Sequence, residues 1–137
     1  PDELEAHNKK LIEKYKAIVE NEKRAEVIDV EDADIVFTAF GTTSRICKSA
    51  GELLKAKGYK VGYVRPITLW PFPDMAYDKI GDNCKVILDV ELNQGQMVED
   101  VRLSVLGRIP VEFYGRQGGM IPTAEEIADV ALKLLEA

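Results

Sequence analysis

Apolar residues first recur along the chain at helical spacing. Leu11, Ile12, Tyr15, Ile18 and Val19 share one face of a segment running from residue 3 to about residue 24, and charges fill the other face. The polar run Glu20-Asn21-Glu22-Lys23-Arg24 ends that helix. The period then shortens. Val27-Ile28-Asp29-Val30 is β-branched and is followed by acidic residues, the signature of a short edge strand. Residues 35–40 form a near-continuous apolar run that stops at Gly41, which suits a strand buried on both faces. Ile46, Cys47, Ala50, Leu53 and Leu54 then make the stripe of a second helix. Thr42, Thr43 and Ser44 offer it N-cap hydroxyls, and Gly58 a C-terminal stop.

Residues 59–64 read as the next strand. Pro66, Pro71 and Pro73 make residues 65–73 a loop, with a short helix over 74–80. Residues 84–90 read as another buried strand and run into the polar cluster Glu91-Leu92-Asn93-Gln94-Gly95-Gln96. Met97, Val98, Val101 and Val105 mark a helix that stops at Gly107. Residues 109–113 are the last strand, and residues 114–119 a glycine-rich loop. Thr123-x-x-Glu126 is a capping box that opens a final helix with Ile127, Val130, Ala131, Leu134 and Leu135 on its core face. Strand–helix alternation of this kind predicts one α/β domain: a mainly parallel sheet with helices on both faces. Residues 1–24 stand before it as a helix with one packed stripe. It reads as a connector, or as an interface helix that needs a neighbouring domain.

Composition narrows the function classes. With 18 basic and 24 acidic residues among 137 the net charge is −6, which disfavours binding to a nucleic-acid backbone. The longest apolar stretches are strand-sized, too short to span a membrane, and no signal peptide opens the chain. Cys47 and Cys84 lie far apart without C-x-x-C spacing, so a reducing compartment, and a cytoplasmic location, are expected. His7 is the single histidine and falls on the charged first helix, so a His-based relay would depend on a solvent-facing residue, and no His/Cys cluster could form a metal site. The first residue is Pro1, which reads as a processed chain or the end piece of a longer polypeptide.

In open α/β sheets ligands sit beyond the carboxyl ends of the strands, so the loops there are the candidate sites. Gly41, Thr42, Thr43 and Ser44 join a buried strand to a helix N-terminus; the turn either caps that helix or contacts an anion through its free amides. Asn93 is placed as the N-cap of the next helix, with Gln96 returning the capping-box contact; Glu91, Asn93, Gln94 and Gln96 together could also read a polar ligand or a partner backbone. Trp70 and Phe72 alternate with prolines, as a lid over the core or as interface anchors. Arg116, in its glycine-rich loop, either pairs with a carboxylate or phosphate or is an ordinary surface arginine.

Four motifs in order carry a resemblance: Thr38-Ala39-Phe40-Gly41-Thr42-Thr43-Ser44-Arg45, Arg65-Pro66-Ile67-Thr68-Leu69-Trp70-Pro71-Phe72-Pro73, Glu91-Leu92-Asn93-Gln94-Gly95-Gln96-Met97, and Tyr114-Gly115-Arg116-x-Gly118-Gly119. Residues 25–137 thereby resemble the C-terminal domain of the alpha subunit of 2-oxoacid:ferredoxin oxidoreductases, the branched-chain and 2-oxoglutarate enzymes more closely than the long single-chain pyruvate type. The resemblance implies a fold similar to the transketolase C-terminal domain: a three-layer α/β/α sandwich whose five-stranded sheet is parallel except for an antiparallel first strand. It implies that residues 1–24 connect to a preceding domain. It also implies thiamine diphosphate, magnesium, iron–sulfur clusters and coenzyme A in the full complex, none of them bound by this chain alone. Other subunits would be its partners, and ferredoxin an indirect one. On that reading the chain by itself is inactive and works in assembly and subunit interfaces, with no catalytic residue carried over. Arg116 and the amide cluster could line the edge of the substrate or coenzyme A approach. The competing readings are a stand-alone regulatory module that binds a phosphate or carboxylate, and a thiamine enzyme of the transketolase or dehydrogenase type.

Overall fold

Five strands assemble into one sheet because the apolar runs alternate their side chains between two separate cores. The computed structural model describes residues 1–137 throughout. The strands are β1 (Ala25–Ile28), β2 (Ile35–Thr38), β3 (Val61–Pro66), β4 (Val86–Glu91) and β5 (Val111–Gly115). The helices are α1 (Asp2–Glu22), α2 (Gly41–Lys55), α3 (Met97–Val105) and α4 (Ala124–Glu136), and a 3₁₀ helix spans Asp74–Lys79. The sheet order is β1-β3-β2-β4-β5. β1 runs antiparallel to β3, and every other pairing is parallel.

The period of two divides the burial. Ile35, Phe37, Leu88 and Val90 face α2 and α4, where they meet Leu54, Ile127 and Leu135. Val36, Val64 and Ile87 face the other way and pack under α3 and the 3₁₀ helix with Tyr77, Met97 and Val101. β2 and β4 are buried along their whole length, as central strands covered on both sides must be. Both cores are closed by the chain's own elements.

The boundaries shift where pairing overrides local pattern. β1 ends at Ile28, not residue 30, because Asp29 turns the chain at a φ of 53°. β3 reaches Pro66 because antiparallel β1 pairs Ala25 with Pro66 and Glu26 with Arg65, beyond the end of β2 at Thr38. β5 likewise runs on through Tyr114 and Gly115, paired with Val90 and Glu91. α3 ends on Leu106 in the left-handed region, one residue before the expected glycine. The largest departure is α1. None of its residues is buried, and Ile12 and Tyr15 of the expected packed stripe are exposed. At 1.5 Å per residue its 21 residues extend for about 31 Å. No helix is long and apolar enough to cross a membrane.

Candidate functional site: the carboxyl edge of the sheet

The loops that leave β2, β3, β4 and β5 gather at one edge of the sheet. The chain proceeds from β2 to β3 on one side and returns to β4 on the other, so the topological switch lies between β2 and β4. A crevice of about 210 Å³ opens there, between Phe40 and Leu69 on one side and Glu91, Gln96, Met97 and Asp100 on the other.

Glu91 organises this edge. It is the last residue of β4, only 2% exposed, and its carboxylate reaches into the first turn of α3. It accepts hydrogen bonds from the backbone amides of Gln96 at 3.1 Å, Met97 at 3.0 Å and Val98 at 3.1 Å, and from Asn93 Nδ2 at 2.9 Å. A full negative charge thus meets the positive end of the helix. This corrects the expected cap. Asn93 does not cap α3: its Oδ1 accepts from Gly95 N at 2.7 Å and folds the loop so that Glu91 can. Gln96 takes part through its backbone amide, and its side chain makes no capping-box contact. The carboxylate wins because it satisfies several donors at once.

Asp89, two residues earlier on the same face, was missed by sequence reasoning. It is fully buried, and no N–H or O–H of the protein reaches either of its oxygens. The group that acts on it most directly is the neighbouring Glu91 carboxylate. Two carboxylates cannot share a hydrogen bond unless one keeps its proton. Burial first, and then Glu91, push the Asp89 carboxyl up to about 9, so at neutral pH it keeps its proton and is able to donate. Burial alone would raise Glu91 as well; the bonds from Asp89, Asn93, Met97 and Val98 outweigh it and hold Glu91 below the usual carboxylate range. Beside the pair, Thr38 Oγ1 and Tyr77 Oη share a buried hydrogen bond of 2.7 Å. The available signal was an aspartate inside the apolar run Val86-Ile87-Leu88-Asp89-Val90.

The neighbouring loop is fastened to this assembly. Arg116 N donates to the Glu91 carbonyl at 3.2 Å. A Cβ on Gly115 would stand 2.3 Å from the Asn93 carbonyl oxygen, so only glycine lets the end of β5 approach the Asn93 loop. Arg116 does pair with a carboxylate, but an internal one: Nη1 lies 2.8 Å from Glu126 Oε1, in the capping box of α4. Gln94 Nε2 donates to Gln117 Oε1 at 2.8 Å, joining the two loops. The amide cluster and Arg116 are therefore brought together, and their polar groups are spent largely on each other.

The turn after β2 is built differently. Gly41 is the first residue of α2, at a φ of +61°, and no side chain caps the helix. Thr43 Oγ1 donates to the Phe40 carbonyl at 2.8 Å and Ser44 Oγ to the Gly41 carbonyl at 2.6 Å. The expected N-cap hydroxyls thus lie inside the first turn and act as donors to carbonyls, because the helix begins ahead of them. Gly41 and Thr42 are exposed.

Trp70 and Phe72 separate. Phe72 is half-buried and stacks on Tyr77 with ring centroids 5.8 Å apart. Trp70 is 61% exposed, so it is not a core lid; it meets Tyr15 of α1 edge-on at 5.7 Å. With Ile67 and Leu69, also exposed, it forms an apolar ridge beside α1. Cys47 and Cys84 are buried in opposite cores, which does not fit a shared cluster, and no group of three or more His, Cys, Asp or Glu side chains is placed to hold a metal ion.

Comparison with known proteins bears on this arrangement. The family described as "Pyruvate:ferredoxin oxidoreductase core domain II" matches residues 33–127. The ketoisovalerate oxidoreductase subunit VorB of Methanothermobacter marburgensis is 43% identical over 135 residues, 98% of this chain and 37% of the relative. The 2-oxoglutarate synthase subunit KorA of the same organism is 32% identical over 109 residues, 76% of this chain and 29% of the relative. The chain thus spans only about a third of the length of these curated relatives, 37% of the first and 29% of the second. Among solved structures, the 2-oxoglutarate:ferredoxin oxidoreductase of Magnetococcus marinus, with 2-oxoglutarate, coenzyme A and succinyl-CoA bound, superposes with a TM-score of 0.80 at 30% identity over 98% of this chain and 24% of that one. A split-gene transketolase, at a TM-score of 0.68 and 18% identity over 82% of this chain and 41% of that one, shares the fold.

Proposed function

Because the chain belongs to the family of pyruvate:ferredoxin oxidoreductase core domain II, we propose that it serves a complex that oxidatively decarboxylates a branched-chain 2-oxoacid to its acyl-CoA, with ferredoxin as electron acceptor. The observation that carries the substrate class is the level of likeness: 43% and 44% identity to two ketoisovalerate oxidoreductase subunits over 98% of the chain, against 32%, 34% and 36% over 74% to 76% to three 2-oxoglutarate synthase subunits. Thiamine diphosphate, magnesium and the iron–sulfur clusters would supply the chemistry of decarboxylation and electron transfer in the full complex; no group of three or more His, Cys, Asp or Glu side chains in this chain is placed to hold a metal ion, and on this reading the metal and cluster sites belong to other domains or subunits. This piece contributes no catalytic residue and is inactive alone. It works as a rigid scaffold. Glu91 and Asp89 fix the loops at the sheet edge, and the ridge of Ile67, Leu69 and Trp70 beside α1 meets a neighbouring domain or subunit. Residues 1–24 connect it to the domain before it.

The test is native isolation from the source with an antibody against this domain. A polypeptide of about 41 kDa is expected, from 15.3 kDa being 37% of the whole, together with an iron–sulfur subunit. Coenzyme A-dependent dye reduction by the preparation is expected with 3-methyl-2-oxobutanoate in preference to 2-oxoglutarate. A free 15.3 kDa species with no partners would overturn the reading in favour of a stand-alone binding module.

A further inference from the structure

Away from the Glu91 assembly, a second cleft of about 490 Å³ opens between β1, β3 and the start of α2. Its walls carry no apolar side chain. Arg45, Lys48 and Arg65 line it with Glu26 and the hydroxyl-bearing Thr42 and Ser44. Three cations therefore face one carboxylate, in a chain whose net charge is −6. The single carboxylate is divided between two of them. Glu26 Oε1 takes Lys48 Nζ at 2.8 Å, and Glu26 Oε2 takes Arg65 Nη2 at 3.1 Å. Arg45 is exposed and, unlike Lys48 and Arg65, makes no ion pair. Glu26 and Arg65 are directly paired across β1 and β3, so the sheet sets their separation.

The size lies within the range of small-ligand sites, about 300–1,000 Å³. The absence of apolar wall excludes a site built for a ring or acyl chain. What remains is a small anion rich in oxygens. One carboxylate would neutralise only one of the two surplus charges, whereas a phosphate group presents two charges and three oxygens to two guanidinium forks and an ammonium. We propose that this cleft binds the phosphate group of a ligand through Arg45, Lys48 and Arg65, and that Glu26 holds Lys48 and Arg65 in place until the phosphate displaces it. The inference rests on the cleft's own side chains and stands or falls apart from the assembly reading.

The test is a titration of the 137-residue chain with inorganic pyrophosphate at fixed ionic strength, about 0.1 M, followed by backbone amide shifts. Saturable shifts are expected over residues 41–48. Arg45→Gln and Arg65→Gln should each weaken binding about fivefold or more, as the loss of a charged hydrogen-bonding partner does. Glu26→Gln should tighten binding, because it releases two cations. Should Arg65→Gln disturb the sheet, Lys48→Gln on the exposed face of α2 gives the same reading. Adenosine diphosphate binding as tightly as pyrophosphate would mean that only the phosphates seat; tighter binding would mean a nucleotide. Malonate competing equally would overturn the choice of phosphate over carboxylate. Shifts scattered over remote lysines, or an affinity unchanged in Glu26→Gln, would overturn the site.

Discussion

α2 and α3 begin in equivalent places, each just beyond the carboxyl end of a central parallel strand, yet their N-termini are finished in opposite ways. At α3 the strand's own last residue, Glu91, turns inward and satisfies three amides of the first turn, with a protonated Asp89 behind it. At α2 no side chain satisfies the amides, the hydroxyls donate backwards to carbonyls, and three cations stand around the turn. The first N-terminus carries its anion covalently and is closed. The second has the same helix dipole and an anion shared out to Lys48 and Arg65, and it is open. One fold thus closes one strand-to-helix junction with its own carboxylate and leaves the amides of the other without a side-chain cap.

The closed junction should be the costlier one to break. Glu91→Ala would leave Asp89 and three helical amides without their acceptor, and a loss of about 3–5 kcal/mol is expected from denaturant unfolding. A loss below about 1 kcal/mol would mean that water replaces the carboxylate and the junction is not closed.

The pH dependence tests the shared proton. Asp89 titrates near 3.8 in the unfolded chain and about 9 in the folded one. Between those values the folded chain keeps a proton that the unfolded chain releases. The contribution of Asp89 is therefore fully present below 3.8 and is lost as pH rises toward 9, at up to about 1.4 kcal/mol per unit. Glu91 runs the other way, since its folded pKa is depressed, but its change is complete by about pH 5. Stability should thus fall from about pH 5 to 9, and Asp89→Asn, which donates to Glu91 without a titrating proton, should flatten that slope. An unchanged slope in Asp89→Asn would place the titration elsewhere.

Opening a different weakness, Gly41→Val should cost about 1–2 kcal/mol through its left-handed backbone alone, because no atom stands within 4 Å of the site of a Cβ. A variant as stable as the parent would show that the turn relaxes to another conformation.

These two junctions also separate what the sequence made legible from what it hid. The stripes of α2, α3 and α4, the apolar runs of β2 and β4 and the capping box at Thr123 were all readable, because each depends on residues within one or two turns of each other. The antiparallel direction of β1 came from family resemblance; periodicity carries no direction. Glu91 was singled out as a polar candidate, but its role as the cap of α3 escaped because it lies six residues before Met97, outside the three-residue reach that capping rules consider, and only the Asn93 turn folds it back. Asn93 had the right chemistry for a cap and the wrong position. The phosphate cleft was half visible. Gly41, Thr42 and Ser44 were candidates for an anion, but Glu26 and Arg65 are 39 residues apart and become neighbours only through the β1–β3 pairing. Trp70 was singled out correctly as unusual, and its exposure could not be read from its proline-rich surroundings.

The smallest effect isolates the difference between the two kinds of hydroxyl. Ser44 and Thr123 both stand near the start of a helix, and both were read as capping residues. Thr123 Oγ1 accepts from Glu126 N at 3.1 Å and so satisfies an amide that has no other partner. Ser44 Oγ instead donates to the Gly41 carbonyl, a group that α2 already uses in its first turn. Thr123→Ala should therefore cost about 1 kcal/mol, as the loss of a true N-cap does. Ser44→Ala should cost less than about 0.5 kcal/mol, because alanine is the better helix former and no buried donor is orphaned. Measured side by side in denaturant, a Ser44→Ala loss as large as that of Thr123→Ala would show that the hydroxyl caps α2 in solution. The helix start would then be closed from within, and the cleft beside it would have one anion-seeking feature fewer.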